Sequence, residues 1–279
     1  MILVYALGGG LGHLVRARAF LHTLGMERDA AVITASHHAT DPRVLDGIEA
    51  IRIPRELERD RAACRAWIAE LLAARRPSVF CIDAFPCGII GELAGEPLPH
   101  AGETWHLARL LRWDEYAPLA TREPSRFAVT WRLEPLQGAH EAWLGRASRE
   151  LRELELEDPP SVDDEPDVLP SRFWLVVHSG PASEVEELAS LAEDLRGAEK
   201  SRSAIVIATS EPPESLPEGS IVVNAFPASA LFARAEKIVS AAGFNVMRQT
   251  RPFREKHVIV PLPRRFDDQF ERARRARRA

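Results

Sequence analysis

The chain has 279 residues, 46% of them hydrophobic and 28% charged, and a formal net charge of −5. That hydrophobic content supplies substantial buried cores and excludes a disordered chain. The acidic balance excludes the global basic surface that holds nucleic acid.

The first apolar run, MILVYAL, gives a strand at 2–7. It is too short for a signal-peptide core and has no basic leader. No apolar run approaches the ~20 residues that span a bilayer, so the expectation is a soluble cytoplasmic protein. Strands follow at 31–35, 50–53 and 79–83 and, after a gap, at 174–178, 204–208, 221–224, 238–240 and 257–260. Several are almost wholly apolar, as strands covered on both faces are, and the helical patterns between them imply parallel βαβ units. In 181–196, Val185, Leu188, Leu191, Ala192 and Leu195 recur on one helical face.

Between the halves, EDPPSVDDEPDVLP at 157–170 is acidic, rich in proline and without periodicity, which reads as a linker. The expected architecture is α/β: two Rossmann-like parallel-sheet domains, 1–156 and 171–279, facing across a cleft. In open parallel sheets ligands bind at the carboxyl ends of the strands. Cys64, Cys81 and Cys87 form neither a Cys-X-X-Cys pair nor an even disulfide set, and read as reduced thiols. His37 and His38 have no carboxylate or cysteine at ligand spacing, so no metal site is expected.

The stretch GGGLGH follows the first strand at once. Gly8, Gly9, Gly10 and Gly12 are free to take a positive φ and to let backbone approach a ligand. The helix expected from about His13 aims unpaired N–H groups at the same space. The Walker pattern fails because His13 follows Gly12, and the dinucleotide fingerprint fails because it needs glycine where His13 stands and an acid where Ser36 stands. What remains is a tight strand–helix turn with an incidental histidine, or a phosphate cradle with a base beside it. The helix dipole disfavours protonation of a histidine there, and a neutral imidazole suits a general base.

Two stretches of the second half bear on that choice. IVSAAGFNVMRQT at 238–250 is a strand, a glycine turn and a helix start. HVIVPLPRRFDDQFERARRA at 257–276 is a strand, a proline-marked loop and an Asp-Asp-Gln cluster opening a helix. With GGGLGH, this pair resembles the MurG-like and UDP-glycosyltransferase superfamily of glycosyltransferase-B fold, and in particular a bacterial group of predicted glycosyltransferases. CIDAFPCGIIGEL at 81–93 and LARLLRWDEY at 107–116 are similar to the same group.

The resemblance implies a nucleotide-diphosphate sugar donor, commonly UDP-linked, bound by the second domain. It implies that Ala242, Gly243, Phe244 and Asn245 face the diphosphate, with Ser179 and Gly180 as a second phosphate-facing loop. By the same resemblance Asp267, Asp268 and Gln269 meet the sugar, and NAFPAS at 224–229, with Phe226, reads the base. Gln249 stands where the family has a glutamate on the ribose hydroxyls; an amide bonds them more weakly. The first domain then receives an unknown hydroxyl acceptor. His13 or Asp83 serves as base, and Glu92 lies on the acceptor side.

Asp83 and Glu92 remain open to plain capping or surface roles, and Asp267 and Asp268 to capping the last helix. The implied reaction is an inverting transfer with no metal or cofactor. A nucleotide-sugar hydrolase and a silent nucleotide-sugar binding protein are the alternatives. The tail at 264–279 is basic, as an exposed helix face or as a contact with anionic lipid.

Overall fold

A computed structural model of the chain describes residues 1–96, 98–100, 102–120, 127–160 and 169–278. Most of the expected linker, residues 161–168, therefore lies outside the described residues. The chain divides into two compact units, Met1–Pro159 with Arg265–Asp268, and Pro160–Arg264 with Gln269–Ala279. Residues 265–268, expected within the second domain, pack with the first unit. Phe266 is 5% exposed among Phe85, Trp113 and Tyr116, and its carbonyl accepts from Arg112 N–H.

Among the described residues the first unit has seven strands and five α-helices in chain order: β1 (Ile2–Tyr5), α1 (Leu11–Thr23), β2 (Ala30–Thr34), α2 (Pro42–Leu45), β3 (Glu49–Arg52), α3 (Arg61–Arg75), β4 (Val79–Asp83), β5 (Glu103–Ala108), α4 (Trp113–Tyr116), β6 (Phe127–Arg132), α5 (Gly138–Ala147) and β7 (Ser148–Glu153). All pair in parallel in the order β3-β2-β1-β4-β5-β6-β7. Every residue of β1 and β4 is buried, because both strands are central and covered on both faces. The α3 helix starts where Asp60 accepts from Ala62 and Ala63 N–H, ends in left-handed Arg76, and buries Cys64, Ile68 and Leu72 at four-residue spacing.

Three strands, β5, β6 and β7, fall in the stretch the sequence left without strands. In β7, SRELRE, four of six residues are charged and five are exposed. It is an edge strand whose charges discourage further pairing, so it carries no apolar signal. The β5 strand begins just after Gly102, where a side chain would meet the carbonyl oxygens of Pro77 and Ser78 at 2.3 and 2.4 Å.

The second unit contains β8 (Phe173–Val177), α6 (Ala182–Ala198), β9 (Ala204–Ala208), β10 (Ile221–Val223), β11 (Lys237–Ala241), α7 (Phe244–Gln249), β12 (His257–Val260) and α8 (Gln269–Ala276). Its sheet is parallel, in the order β10-β9-β8-β11-β12. The α6 helix buries Val185, Leu188, Ala189 and Ala192, the face its spacing predicts. No helix among the described residues is long and apolar enough to cross a membrane.

Each sheet has one point where its strand order reverses. In the first it lies between β1 and β4, in the second between β8 and β11. The chain leaves adjacent strands there in opposite directions and opens a crevice at their carboxyl ends.

His106 and His140 are completely buried in the first unit. His106 on β5 is fully buried, gives Nδ1–H to the Ile82 carbonyl at 2.9 Å, and stacks on Phe127. His140 on α5 lies flat against Trp113, with ring centres 4.2 Å apart. Burial lowers the pKa of His106 to about 4 and, with the nearby His106 and Arg109 charges, that of His140 to about 3. Both folded values lie below the ~6.5 of a free imidazole, so between these values the unfolded chain binds more protons. The stability is complete above about pH 6.5 and is lost as pH falls through the folded values. Two rings give a slope of about 3 kcal/mol per pH unit near pH 5. Urea unfolding followed by tryptophan fluorescence should show this fall, with a slope shallower by about 1.4 kcal/mol per pH unit in His140→Phe. Equal stability at pH 7 and pH 5 would contradict it.

Candidate active site

The first reversal point brings His13 and Asp83 together. β1 runs out at Tyr5, and Gly10, with extended backbone at φ −90°, precedes α1. Gly12 is already helical. None of Gly8, Gly9, Gly10 and Gly12 takes a left-handed φ, contrary to the expected conformational role. Space is what matters at Gly8, where a Cβ would sit 2.4 Å from His13 Cδ2. At Gly9 and Gly10 a Cβ would meet nothing within 4 Å, and both residues are exposed. The Gly10 N-cap offers no side chain to α1 and no acid stands in its first turn, so no local side-chain charge offsets the positive dipole end.

His13 and Arg16, three residues apart, share one helical face and both meet Asp83, the last residue of β4. Arg16 Nε donates to Asp83 Oδ1 at 2.5 Å and its Nη2 to Oδ2 at 2.6 Å, a two-pronged fit of guanidinium to carboxylate. His13 Nδ1 lies 2.7 Å from Asp83 Oδ2. A carboxylate only accepts, so Nδ1 carries the proton. Nε2 is then the lone-pair nitrogen. It has no partner among the described residues, and the side chain is 15% exposed while that of Asp83 is 0%.

Burial pushes the Asp83 carboxyl up. The Arg16 charge and the bonds from His13 and Arg16 outweigh it and hold the group well below the usual carboxylate range. Burial also lowers the His13 pKa; Asp83 opposes this, while Arg16 and Arg109 add to it. The product is a fixed carboxylate orienting a neutral imidazole whose other nitrogen accepts a proton. The sequence offered His13 or Asp83 as base; the structure brings the two into one hydrogen-bonded pair.

Past Asp83 the backbone turns sharply. Ala84 is left-handed at φ 62°, and Phe85 N–H donates to the Asp83 carbonyl at 2.7 Å. An alanine in that conformation costs about 1–2 kcal/mol, a strain of the kind held at functional sites. Phe85 lies 5.9 Å from the His13 ring and stacks on Tyr116. Arg109 sits over Phe85 and pairs with Asp267.

Glu92, expected on the acceptor side, is fully buried. Its carboxylate accepts from Tyr5 Oη at 2.6 Å and from the N–H groups of Ile89 and Ile90 at 3.2 and 2.9 Å. Gly88, left-handed at φ 81°, has no room for a side chain, because a Cβ would lie 2.1 Å from Glu92 Cδ. Glu92 therefore shapes the loop after Asp83 and presents no face to a ligand.

At the second reversal point two more loops lie at neighbouring strand ends. After β8, His178 Nε2 meets Glu184 Oε2 at 2.7 Å, and Arg264 grips the same carboxylate at 2.6 and 2.5 Å. Gly180 is required here, since a Cβ would lie 2.3 Å from His178 Nε2; Ser179 precedes it. Burial lowers the His178 pKa, Glu184 opposing and Arg264 adding to the shift. After β11 come Ala242, fully buried, and Gly243, with extended backbone at φ −68°, then α7. Buried Arg272 donates to the Ala242 carbonyl at 2.9 Å and so fixes this loop. Phe244 is buried; Asn245 and Gln249 are half-buried, Gln249 closing α7. Phe226, half-buried, lies in the turn after β10.

The Asp-Asp-Gln trio does not act as a group. Asp267 pairs with Arg109, Asp268 accepts from Gln137 Nε2 at 3.0 Å, and Gln269, 4% exposed, accepts from Leu262 N–H at 3.0 Å. The sequence reading missed Arg16 as a partner of Asp83, although its helical spacing from His13 was available. It also missed Arg109 and Arg272, which nothing local distinguishes among so many arginines.

No family model matches the chain, and no curated protein matches it. Solved structures do. The glycosyltransferase SnogD from Streptomyces nogalater superposes with a TM-score of 0.58 at 14% identity, over 94% of this chain and 81% of its own. Spinosyn rhamnosyltransferase SpnG complexed with thymidine diphosphate gives 0.60 at 15% identity, over 98% and 83%. UDP-N-acetylglucosamine 2-epimerase from Rickettsia bellii gives 0.57 at 11% identity, over 90% and 76%. At such identities the likeness is one of fold. The chain has the two-sheet α/β architecture of these enzymes, the glycosyltransferase-B class expected from the sequence.

Asp83→Asn leaves Arg16 buried without its counter-charge. It should destabilise the protein by about 3 kcal/mol or more in urea unfolding, whereas an unchanged midpoint would show that the ion pair is not the anchor described.

Proposed function

We propose that the protein is a glycosyltransferase that moves a sugar from a nucleotide-diphosphate donor, UDP- or thymidine diphosphate-linked, to a hydroxyl acceptor. One observation carries this reading: an imidazole fixed through Nδ1 by a buried carboxylate, with an available Nε2, at the strand ends where such a fold binds ligands. His13 Nε2 takes the acceptor's hydroxyl proton, the alkoxide oxygen bonds to the anomeric carbon, and the bond from that carbon to the diphosphate oxygen breaks. Attack opposite the leaving group inverts the anomeric centre. The donor's diphosphate falls to the loops at Ser179–Gly180 and Ala242–Asn245, whose backbone N–H groups supply the stabilisation that a resident metal would otherwise give. The names of the similar structures support a nucleoside diphosphate, since SpnG is complexed with one and the R. bellii enzyme is named for a UDP-sugar.

Asp83 is a positioning residue in this reading, and Gln249 contributes a weak ribose contact. The epimerase likeness favours a second reading, in which the same imidazole moves a proton on the sugar itself.

Incubation with a panel of UDP- and thymidine diphosphate-sugars should release nucleoside diphosphate only when a suitable hydroxyl acceptor is present. His13→Ala should lower that rate by about 10²–10⁴-fold, with nucleoside diphosphate affinity little changed. Release without any acceptor would make the protein a hydrolase, and epimerised donor would favour the second reading. No calorimetric binding of either nucleotide would remove both.

A further inference from the structure

A cavity of about 540 Å³ opens at the carboxyl ends of β2 and β3 in the first unit. This is the same sheet end at which His13 and Asp83 meet, and β2 is the strand next to β1. Ala35 and His37, just past β2, form one side. Arg52, the last residue of β3, together with Arg55 and Arg59 from the turn leading to α3, forms another. All three arginines are exposed, and none has a hydrogen bond or ion pair among the described residues. Some arginines of this unit are held by carboxylates, as Arg75 is by Glu49 and Arg43 by Asp41. What sets Arg52, Arg55 and Arg59 apart is that three guanidiniums converge on one hollow. Glu56 and Glu58 also line it, so three positive charges stand against two negative ones.

We infer that this pocket binds an anionic group, a phosphate or a carboxylate, carried by the acceptor substrate. The inference rests on the transferase reading and adds the acceptor's chemical class to it. A guanidinium fork matches both anions in shape and charge and stays protonated at any working pH. The neighbouring carboxylates accept hydrogen bonds from hydroxyls, so the pocket suits a compact anion on a hydroxyl-bearing molecule better than a polyanion. The volume is that of a small-molecule site and exceeds a bare phosphate. The N-terminus of α3 plays no part, because Asp60 already occupies its Ala62 and Ala63 N–H groups.

The test is calorimetry on the full chain at low salt, with inorganic phosphate and citrate as probes and UDP titrated in parallel. The wild type should bind at least one of the two anions, phosphate binding assigning a phosphoryl group and citrate binding a carboxylate. The triple variant R52A/R55A/R59A should bind that anion about tenfold or more weakly, with UDP affinity unchanged. The double variant E56Q/E58Q, which leaves the arginines intact, should bind it more tightly. Equal anion affinity in wild type and triple variant, or none in the wild type, would overturn the inference. Absence of UDP binding alone would fall on the transferase reading and leave the anion site standing.

Discussion

The buried carboxylate of Asp83 is the constraint around which the first unit is organised. An ionised carboxylate away from water is tolerated only with its charge matched and its lone pairs occupied. Arg16 supplies the charge through two prongs, and His13 supplies a third hydrogen bond. That requirement fixes the rotation of α1, because both donors must leave the same face. It also fixes the tautomer of His13, since only an Nδ1 proton satisfies the carboxylate. The side chain missing at Gly8 and the left-handed turn at Ala84 follow as accommodations, one for the imidazole and one for the chain leaving β4.

The second unit applies a related arrangement to different ends. His178, Glu184 and Arg264 again combine an imidazole, a carboxylate and a guanidinium beside a glycine that has no room for a Cβ. Here the carboxylate belongs to the first turn of α6, so the cluster ties the loop after β8 to its helix. Arg272 does the corresponding work for the loop after β11 through the Ala242 carbonyl. Each loop is thus tied down by one arginine from far along the chain, Arg264 for the first and Arg272 for the second.

Much of this was legible in the residues. Buried parallel strands announce themselves as apolar runs, and Val79–Asp83, Ala204–Ala208 and His257–Val260 have the bounds their composition predicts. The pairing of His13 with Asp83 was only half legible. Each stood out locally, but their meeting depends on β1 and β4 being neighbours, a fact of sheet order that no local pattern carries. Edge strand β7 was invisible because its charges serve its exposed position. Glu92 was misleading for the opposite reason: a carboxylate beside glycines suggests a ligand, yet its ligands are Tyr5 and the backbone of its own loop. Asp267 and Asp268 read as a sugar-facing pair, and the partners they meet, Arg109 and Gln137, lie more than a hundred residues away in sequence.

Imidazole nitrogen NMR of His13, assigned by comparison with His13→Gln, examines the protonation of this centre directly. The account predicts a neutral ring at pH 7 with its proton on Nδ1 and a titration midpoint below the ~6.5 of a free histidine. A ring protonated on Nε2, or one titrating above that value, would contradict it.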